Sequence, residues 1–447
     1  MLSCVQLAEP FHDARHRRDM THHDRDSHGN EPHLPHTGGD RRQTRPDEDE
    51  FTDRSAGTPS SGSDVADISL RGPAELADAL PYLLGFYPDD SIVAVALHGP
   101  RGRFGGRLRI GIPETEDERM ALAPQVAECL DASSRARGAS PDGAILFLCQ
   151  EPGEGSSGKE VMERLKPLVQ RLRTACGELD MPVYEALCLS GGRYFSYCCP
   201  DPRCCVPEGM PLAEPGTSAM AAAATYAGVQ VHGSLRDMES RLTPLGPPFA
   251  EEQERVLDAV SAELTQRMLT VEGRQRVCSD TLALVGHLME RLNHSVPKKA
   301  GTHTVADAHD DGLLSHEEAA AVILGLQDRR TRDQAAEWME GMEVGPALRL
   351  WRALSRRCVG PYTEHAAALL TLTGWVAWSG GDGPTARVAL GLALRTDPDY
   401  LFAQLLNQAC NEGLDPELIR RFLRADRERR ASDDEGEQSD ASKGSAP

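Results

Sequence analysis

Hydrophobic and polar positions follow two patterns in the first half of the foldable chain. Nearly continuous apolar runs predict buried strands, and apolar residues recurring every three or four positions predict amphipathic helices. Two shorter runs, each after a glycine-containing loop or turn, predict antiparallel partners for the preceding strands. The predicted elements are strands at 68–70, 91–97, 107–112, 143–149, 182–189 and 193–197, and helices at 73–84, 115–133 and 159–176. This alternation predicts an α/β layer domain with a mixed sheet over residues 67–211.

From residue 212 to 424 the pattern is almost wholly helical, and this range contains all four tryptophans. It predicts an all-α domain with a core of its own. Small and apolar residues have the spacing of one tetratricopeptide-like (TPR-like) hairpin at Leu370, Gly374, Ala386, Leu390, Ala393 and Pro398. Such repeats need about three units to bury a continuous face, and one copy is visible. A single helical hairpin packed against its neighbours is therefore the favoured interpretation.

Both ends of the chain are polar and lack apolar periodicity, which predicts disordered tails at 1–66 and 425–447. The net charge of −21 argues against binding to nucleic acid or to anionic membranes. No apolar run approaches the ~20 residues of a transmembrane helix, and no secretory signal is visible. A cytoplasmic protein is expected. The twelve cysteines are then expected to be free, metal-bound or redox-active rather than paired in structural disulfides.

Four of these cysteines fall within eight residues, directly after the last predicted hairpin. Cys199 and Cys204 have the spacing of a zinc half-site, and Cys205 or Cys198 could add a third thiolate. A second ligand pair is missing nearby, so the ligand set is incomplete. Three interpretations stay open: a rigid turn with partly buried cysteines, a zinc site, and a redox pair of adjacent cysteines in which Arg203 lowers a thiol pKa.

A glycine-rich segment at 153–160 follows a predicted strand and opens a predicted helix, as a phosphate-binding P-loop does. Lys159 would supply the positive charge. Glu160, however, stands where a P-loop has the serine or threonine that binds Mg²⁺. A flexible Gly/Ser loop without a nucleotide is therefore favoured.

Residues 307–318 fit the twelve-residue register of a calcium-binding loop, with acids at its first, fifth and last positions. The third position is His309, a poor ligand for a hard cation, and no entering helix is evident before the loop. The favoured interpretation is a loop in which Ser315 and Glu318 form the capping box of a following helix.

Several stretches together resemble a bacterial family described as a domain of unknown function, DUF4192. These stretches are residues 70–73, 80–93, 192–193, 196–197, 199–209, 332–333 and 397–400. The resemblance covers about 67–424 and implies an architecture and a place to look, not a reaction. Val206 departs from the proline expected there, which loosens the cysteine turn without removing a thiol.

The helical half carries no catalytic signature, which favours a non-catalytic binding or regulatory module that engages a protein partner through this half. The alternative is a metal-binding or thiol-dependent enzyme that uses the turn at 198–205. Its predicted ligands are Cys199, Cys204 and Cys205, and zinc is the implied cofactor.

Overall fold

The computed structural model of the protein describes residues 5–7, 70, 72–199, 201, 203, 205–295 and 302–443. Side chains are described from residue 70 to 432 within these ranges. Of the tail predicted at 1–66, residues 5–7 are described and form a short strand. The rest of this tail and most of the strand predicted at 68–70 lie outside the described residues. Everything described belongs to one compact unit.

The described residues form one mixed sheet. Its strands are β1 (Val5–Leu7), β2 (Ser91–His98), β3 (Arg103–Gly111), β4 (Gly143–Cys149), β5 (Val183–Ser190), β6 (Arg193–Ser196) and β7 (Met210–Pro211). Their order across the sheet is β1-β3-β2-β4-β5-β6-β7. β4 and β5 are parallel, and the other neighbouring pairs are antiparallel. The predicted mixed sheet is confirmed, with two short edge strands, β1 and β7, that the sequence pattern does not predict.

Three helices accompany the strands close to their predicted positions: α1 (Pro73–Leu84), α2 (Glu116–Ala136) and α3 (Gly158–Glu178). Two of them begin with a capping box, in which each side chain bonds the backbone N–H of the other residue. Thr115 and Glu118 cap α2, and Ser157 and Glu160 cap α3. These caps satisfy backbone donors that a helix start would otherwise leave unpaired.

The rest of the described chain is helical, as the sequence predicts. The helices are α4 (Ala219–Tyr226), α5 (Leu235–Ser240), α6 (Phe249–Arg267), α7 (Val271–His294), α8 (His303–Asp311), α9 (His316–Gly325), α10 (Arg329–Ala335), α11 (Val344–Arg356), α12 (Ala366–Ser379), α13 (Gly383–Thr396), α14 (Leu401–Asn411) and α15 (Glu417–Lys443), with 3-10 turns at Gly341–Glu343 and Gly360–His365. The sequence predicts the last helix to end at 424. Its continuation is supported by ion pairs from Arg427 to Glu343 and from Arg430 to Glu337.

The two faces of the sheet bury different helices, because alternate residues of a strand point to opposite sides. On one face, Ile92 and Leu146 belong to a core shared with α2 and α3. On the other face, Val93 and Phe147 belong to a second core, which also contains α1 and extends through the helical half to Trp375. This second core is continuous from the sheet into the helices. The division of the chain at residues 211 and 212 into two domains stays a prediction.

The hairpin predicted from the TPR-like spacing is formed by α12 and α13. A Cβ at Gly374 would lie 2.6 Å from the Cγ of Leu390 and 3.2 Å from the carbonyl oxygen of Ala386, so the absence of a side chain lets the two helices approach closely. The helical hairpin is therefore present. Its kinship with tetratricopeptide repeats is not confirmed.

Candidate functional site

The cysteine turn follows β6, and its start is held by one hydroxyl. The backbone N–H groups of Cys198 and Cys199 donate to the Oγ of Ser196 at 3.2 and 2.9 Å. Cys198, Cys199 and Cys205 are partly buried, and Cys198 and Cys199 carry free thiols. Cys204 lies outside the described residues. Whether the turn holds zinc through Cys199, Cys204 and Cys205 therefore stays a prediction.

The electrostatics of the turn do not favour a reactive thiolate at Cys198. Burial and the nearby Glu185 carboxylate raise the pKa of its thiol. Arg203, expected to lower a thiol pKa, places its guanidinium against Asp201 instead. In the part of the chain that the structure describes, no three His, Cys, Asp or Glu side chains converge closely enough to hold a metal ion.

One cysteine outside the turn is not a free thiol. Cys129 on α2 is disulfide-bonded. Buried free thiols stand at six other positions: Cys149, Cys176, Cys188, Cys278, Cys358 and Cys410.

The glycine-rich segment after β4 has a packing role at its helix end. A Cβ at Gly158 would lie 2.7 Å from the carbonyl oxygen of Ser190, so α3 can begin directly against the end of β5 only with glycine there. The Glu160 carboxylate accepts from the backbone N–H of Ser157 at 2.7 Å, at the helix start where a phosphate would sit. A carboxylate in that position disfavours a phosphate, which agrees with the interpretation favoured from the sequence.

The segment with the calcium-loop register folds differently from the expected loop. Asp307, Asp310 and Asp311 lie in α8, and helical spacing places them on one face. Each is buried and bound by an arginine: Arg241 to Asp307 at 2.9 Å, Arg349 to Asp310 at 2.5 Å and Arg356 to Asp311 at 2.8 Å. These acids are therefore engaged in ion pairs, and the expected loop at 307–311 is wrong. The predicted capping box of Ser315 and Glu318 is confirmed.

A cleft of about 150 Å³ lies at the end of the sheet where the parallel strands β4 and β5 finish. Its walls come from α1, residues 87–89 before β2, the ends of both strands and residues 212–215. The carboxyl ends of parallel strands are the usual position of a ligand in open α/β sheets. A cavity of about this volume holds a molecule the size of benzene. The cleft therefore has the position and size of a small-molecule site.

The cleft is negatively charged. Asp78, Asp89 and Glu151 are among its described lining residues, and none of those residues is a lysine, arginine or histidine. Asp89 accepts from the backbone N–H of Arg236 at 2.8 Å, and Glu151 accepts from that of Gly191 at 3.0 Å. Backbone donors thus hold the Asp89 and Glu151 carboxylates in place.

Two tyrosines of the cleft wall, Tyr82 and Tyr87, have hydroxyls that make no hydrogen bond with the described residues. Ser190 also lines the cleft, and its buried Oγ makes no hydrogen bond in the described chain. Ala186 and Cys188, at alternate positions of β5, belong to the core shared with α2 and α3. The Ser190 side chain therefore lies on that face of the sheet, away from α1.

Cys149 at the end of β4 brings a thiol to the wall of the cleft. Burial raises its pKa well above the ordinary value, and the charges of Asp89 and Glu151 act in the same direction. The protonated thiol is a poor nucleophile. Cys149 therefore contributes shape and polarizability to the cleft rather than an activated sulfur.

Sequence reasoning missed this cleft. It assigns no role to Asp78, Asp89 or Glu151. The available signal was topological, because two parallel strands at 143–149 and 182–189 would finish at the same end of the sheet. The sequence pattern does not show that α1 and the segment at 212–215 close over these strand ends.

The architecture defines this chain as an α/β layer protein with a mixed sheet and a large helical part. A cleft with the volume of a small molecule lies where the parallel strands finish. It belongs to the family described as "Domain of unknown function (DUF4192)", whose model matches residues 73–417. The resemblance seen in the sequence is thereby confirmed. Searches of curated proteins and of solved structures find no match to this chain. Among the helices described, none is long and apolar enough to cross a membrane.

Proposed function

We propose that this protein is a non-catalytic binding module and that the cleft at the ends of β4 and β5 is its ligand site. The observation that carries the proposal is the cleft itself, which lies where the parallel strands finish and has a volume of about 150 Å³. Ligands of open α/β sheets commonly bind at this position. The raised pKa of Cys149 supports binding rather than thiol catalysis at this site.

The walls of the cleft also support a preformed site. The Gln150 amide donates to Asp90 at 3.1 Å and accepts from Arg164 at 2.9 Å, so both ends of its side chain are held. With the backbone bonds to Asp89 and Glu151, this arrangement ties the loop before β2 to the end of β4. A preformed site reduces the ordering cost that a ligand must offset.

Ligand-observed NMR on the full-length protein tests this proposal. The probes are anionic, neutral and cationic compounds of about six to ten heavy atoms, near the size of benzene. The exposed Ala213 lines the cleft, so Ala213→Trp should fill its mouth and abolish saturation transfer to true ligands. Ala136→Trp places the same side chain at an exposed position on α2 and should leave the signals unchanged.

Two outcomes would overturn the proposal. If no probe distinguishes Ala213→Trp from the unmodified protein, the cleft is not the site. If a probe that depends on the cleft is converted to product during the measurement, the module is catalytic.

A protein partner for the helical half, the partner class expected from the sequence, is a second candidate. Leu401 and Leu405 on α14 and Leu418 and Phe422 on α15 are all more than half exposed, which supports an apolar contact surface. Pull-down with the full-length protein tests this candidate. If the unmodified protein and the double variant Leu418→Asp/Phe422→Asp retain a partner equally, that partner does not dock on α15. The zinc or thiol alternative at residues 198–205 stays a prediction, which elemental analysis of untagged protein would test.

A further inference from the structure

We propose that Cys129 pairs with Cys4 and that this disulfide is a redox switch for the edge strand β1. The inference starts from the disulfide bond of Cys129 on α2. Described cysteines with free thiols are excluded as its partner, which leaves Cys4, Cys204 and Cys205.

The position of α2 on the sheet selects among these three cysteines. α2 contacts β2 and β3, and Cys129 packs against the core on that face of the sheet. Cys204 and Cys205 follow β6, which is the fourth strand from β3 and is covered by α3. Neighbouring strands are about 4.8 Å apart, so β3 and β6 are separated by about 19 Å. A disulfide needs α-carbons within about 7 Å of each other, which favours Cys4.

The register of β1 brings position 4 to the side of the sheet that α2 covers. β1 pairs with β3 in antiparallel register, with Val5 opposite Arg109. Continuing this register by one residue puts position 4 opposite Ile110, which packs against the core shared with α2. Residues opposite each other in an antiparallel pair point to the same face. Cys4 itself lies outside the described residues, and the register of β1 is what assigns it to Cys129.

The bond fixes a strand that has few other attachments. β1 has three residues and pairs with β3 at the edge of the sheet. Residues 8–72 separate it from α1, the next element of this compact unit. A strand of this length offers few hydrogen bonds against the entropy lost when a chain end is ordered. We therefore expect β1 to leave β3 when the disulfide is broken.

Reduction of the bond is a two-electron exchange with a dithiol. One thiolate of the dithiol attacks a sulfur of the bond, and its second thiol then breaks the mixed disulfide. Two electrons and two protons pass to Cys4 and Cys129, and the dithiol becomes a disulfide. Without β1, β3 presents unpaired backbone groups along its edge, which can pair with a strand of another chain. β1 also contacts α14, so its release uncovers part of the helical half as well.

Mass spectrometry of the full-length protein, purified without reductant, tests the pairing. Free thiols are blocked with N-ethylmaleimide, and the protein is then digested with trypsin without reduction. The expected product is a disulfide-linked pair of peptides, 1–15 and 120–135, which contain Cys4 and Cys129. A link from Cys129 to any other cysteine, or an alkylated Cys129, would show that the pairing is wrong.

Hydrogen–deuterium exchange of the same protein tests the switch. Dithiothreitol should raise exchange in β3, at 103–111, several-fold, because amides that face β1 lose their acceptors. Cys4→Ser should reach the same level without reductant. Cys278→Ala removes a buried free thiol on α7 and should keep the response to dithiothreitol.

Exchange in β4, at 143–149, should be the same before and after reduction, because this strand lies inside the sheet. Two outcomes would overturn the switch. Unchanged exchange in β3 would show that β1 stays in place without the bond. An equal rise in β3 and β4 would show that the disulfide stabilises the whole fold rather than one strand.

Discussion

Two regions of this protein concentrate carboxylates, and they differ in what those carboxylates contact. On α8, Asp307, Asp310 and Asp311 each meet an arginine side chain inside the helical half. In the cleft, Asp78, Asp89 and Glu151 share a space whose described lining contains no cationic side chain. An acid with an arginine partner is part of the internal structure, whereas an acid without one keeps its charge available to a ligand.

The comparison also separates a motif from a site. Residues 307–318 have the register of a calcium loop, yet their acids are engaged in ion pairs in the folded chain. The cleft has no recognisable motif, yet it has space and carboxylates without an ion-pair partner among its lining residues. Spacing along the sequence is therefore a weaker indication of binding than the partners that each group finds in three dimensions.

The largest expected effect on stability follows from replacing one of the paired acids. Asp311→Ala should lower the free energy of unfolding by about 3–5 kcal/mol, because the buried Arg356 loses the carboxylate at 2.8 Å and keeps only Asp307 at 3.9 Å. Urea denaturation would measure this loss. Asp280→Ala makes the same change at an exposed pair with Arg267 and should cost about 0–1 kcal/mol. Equal losses in the two variants would refute the distinction between buried and exposed pairs.

An intermediate effect is expected at Glu318, which binds Arg291 at 2.7 Å and caps α9. Hydrogen bonds from Arg291 lower its pKa below the ordinary value of 4.5. A lowered pKa in the folded state stabilises the fold above about pH 4.5, and this contribution is lost as the pH falls through the folded-state pKa. Glu318→Gln should therefore destabilise the protein by about 1–2 kcal/mol at neutral pH.

The pH dependence distinguishes this mechanism from a loss of packing. The difference between Glu318→Gln and the unmodified protein should shrink in acid, as measured by urea denaturation across the pH range. Glu317→Gln, at the exposed neighbouring position, should show little change. A difference at Glu318 that is constant with pH would rule out the ionised carboxylate as its cause.

The smallest effect on stability is expected in the cleft. Asp78→Asn should change the free energy of unfolding by no more than about 0.5 kcal/mol, because Asp78 has no partner within the described chain to lose. A stability loss comparable to that of Asp311→Ala would show that Asp78 is structural, which would remove the contrast between the two regions.

Much of the fold could be predicted from the sequence because its signals are local. The apolar runs at 91–97 and 143–149 are confirmed as β2 and β4, and the helix predicted at 73–84 is confirmed as α1. The capping pair Ser315 and Glu318 also depends only on neighbouring residues. The family could be recognised for a similar reason. The residues that carry the resemblance are grouped in short, continuous stretches of the sequence.

The roles of the charged residues could not be predicted in this way. Asp307 and Arg241 are separated by 66 residues, and no local pattern pairs them. Asp78 and Glu151 approach one cleft because α1 packs over the ends of β4 and β5. The chain by itself thus determined its helices, strands and net charge, which depend on residues close in sequence. The tertiary structure alone decided which acids are neutralised and which face open space, because that depends on contacts between distant segments.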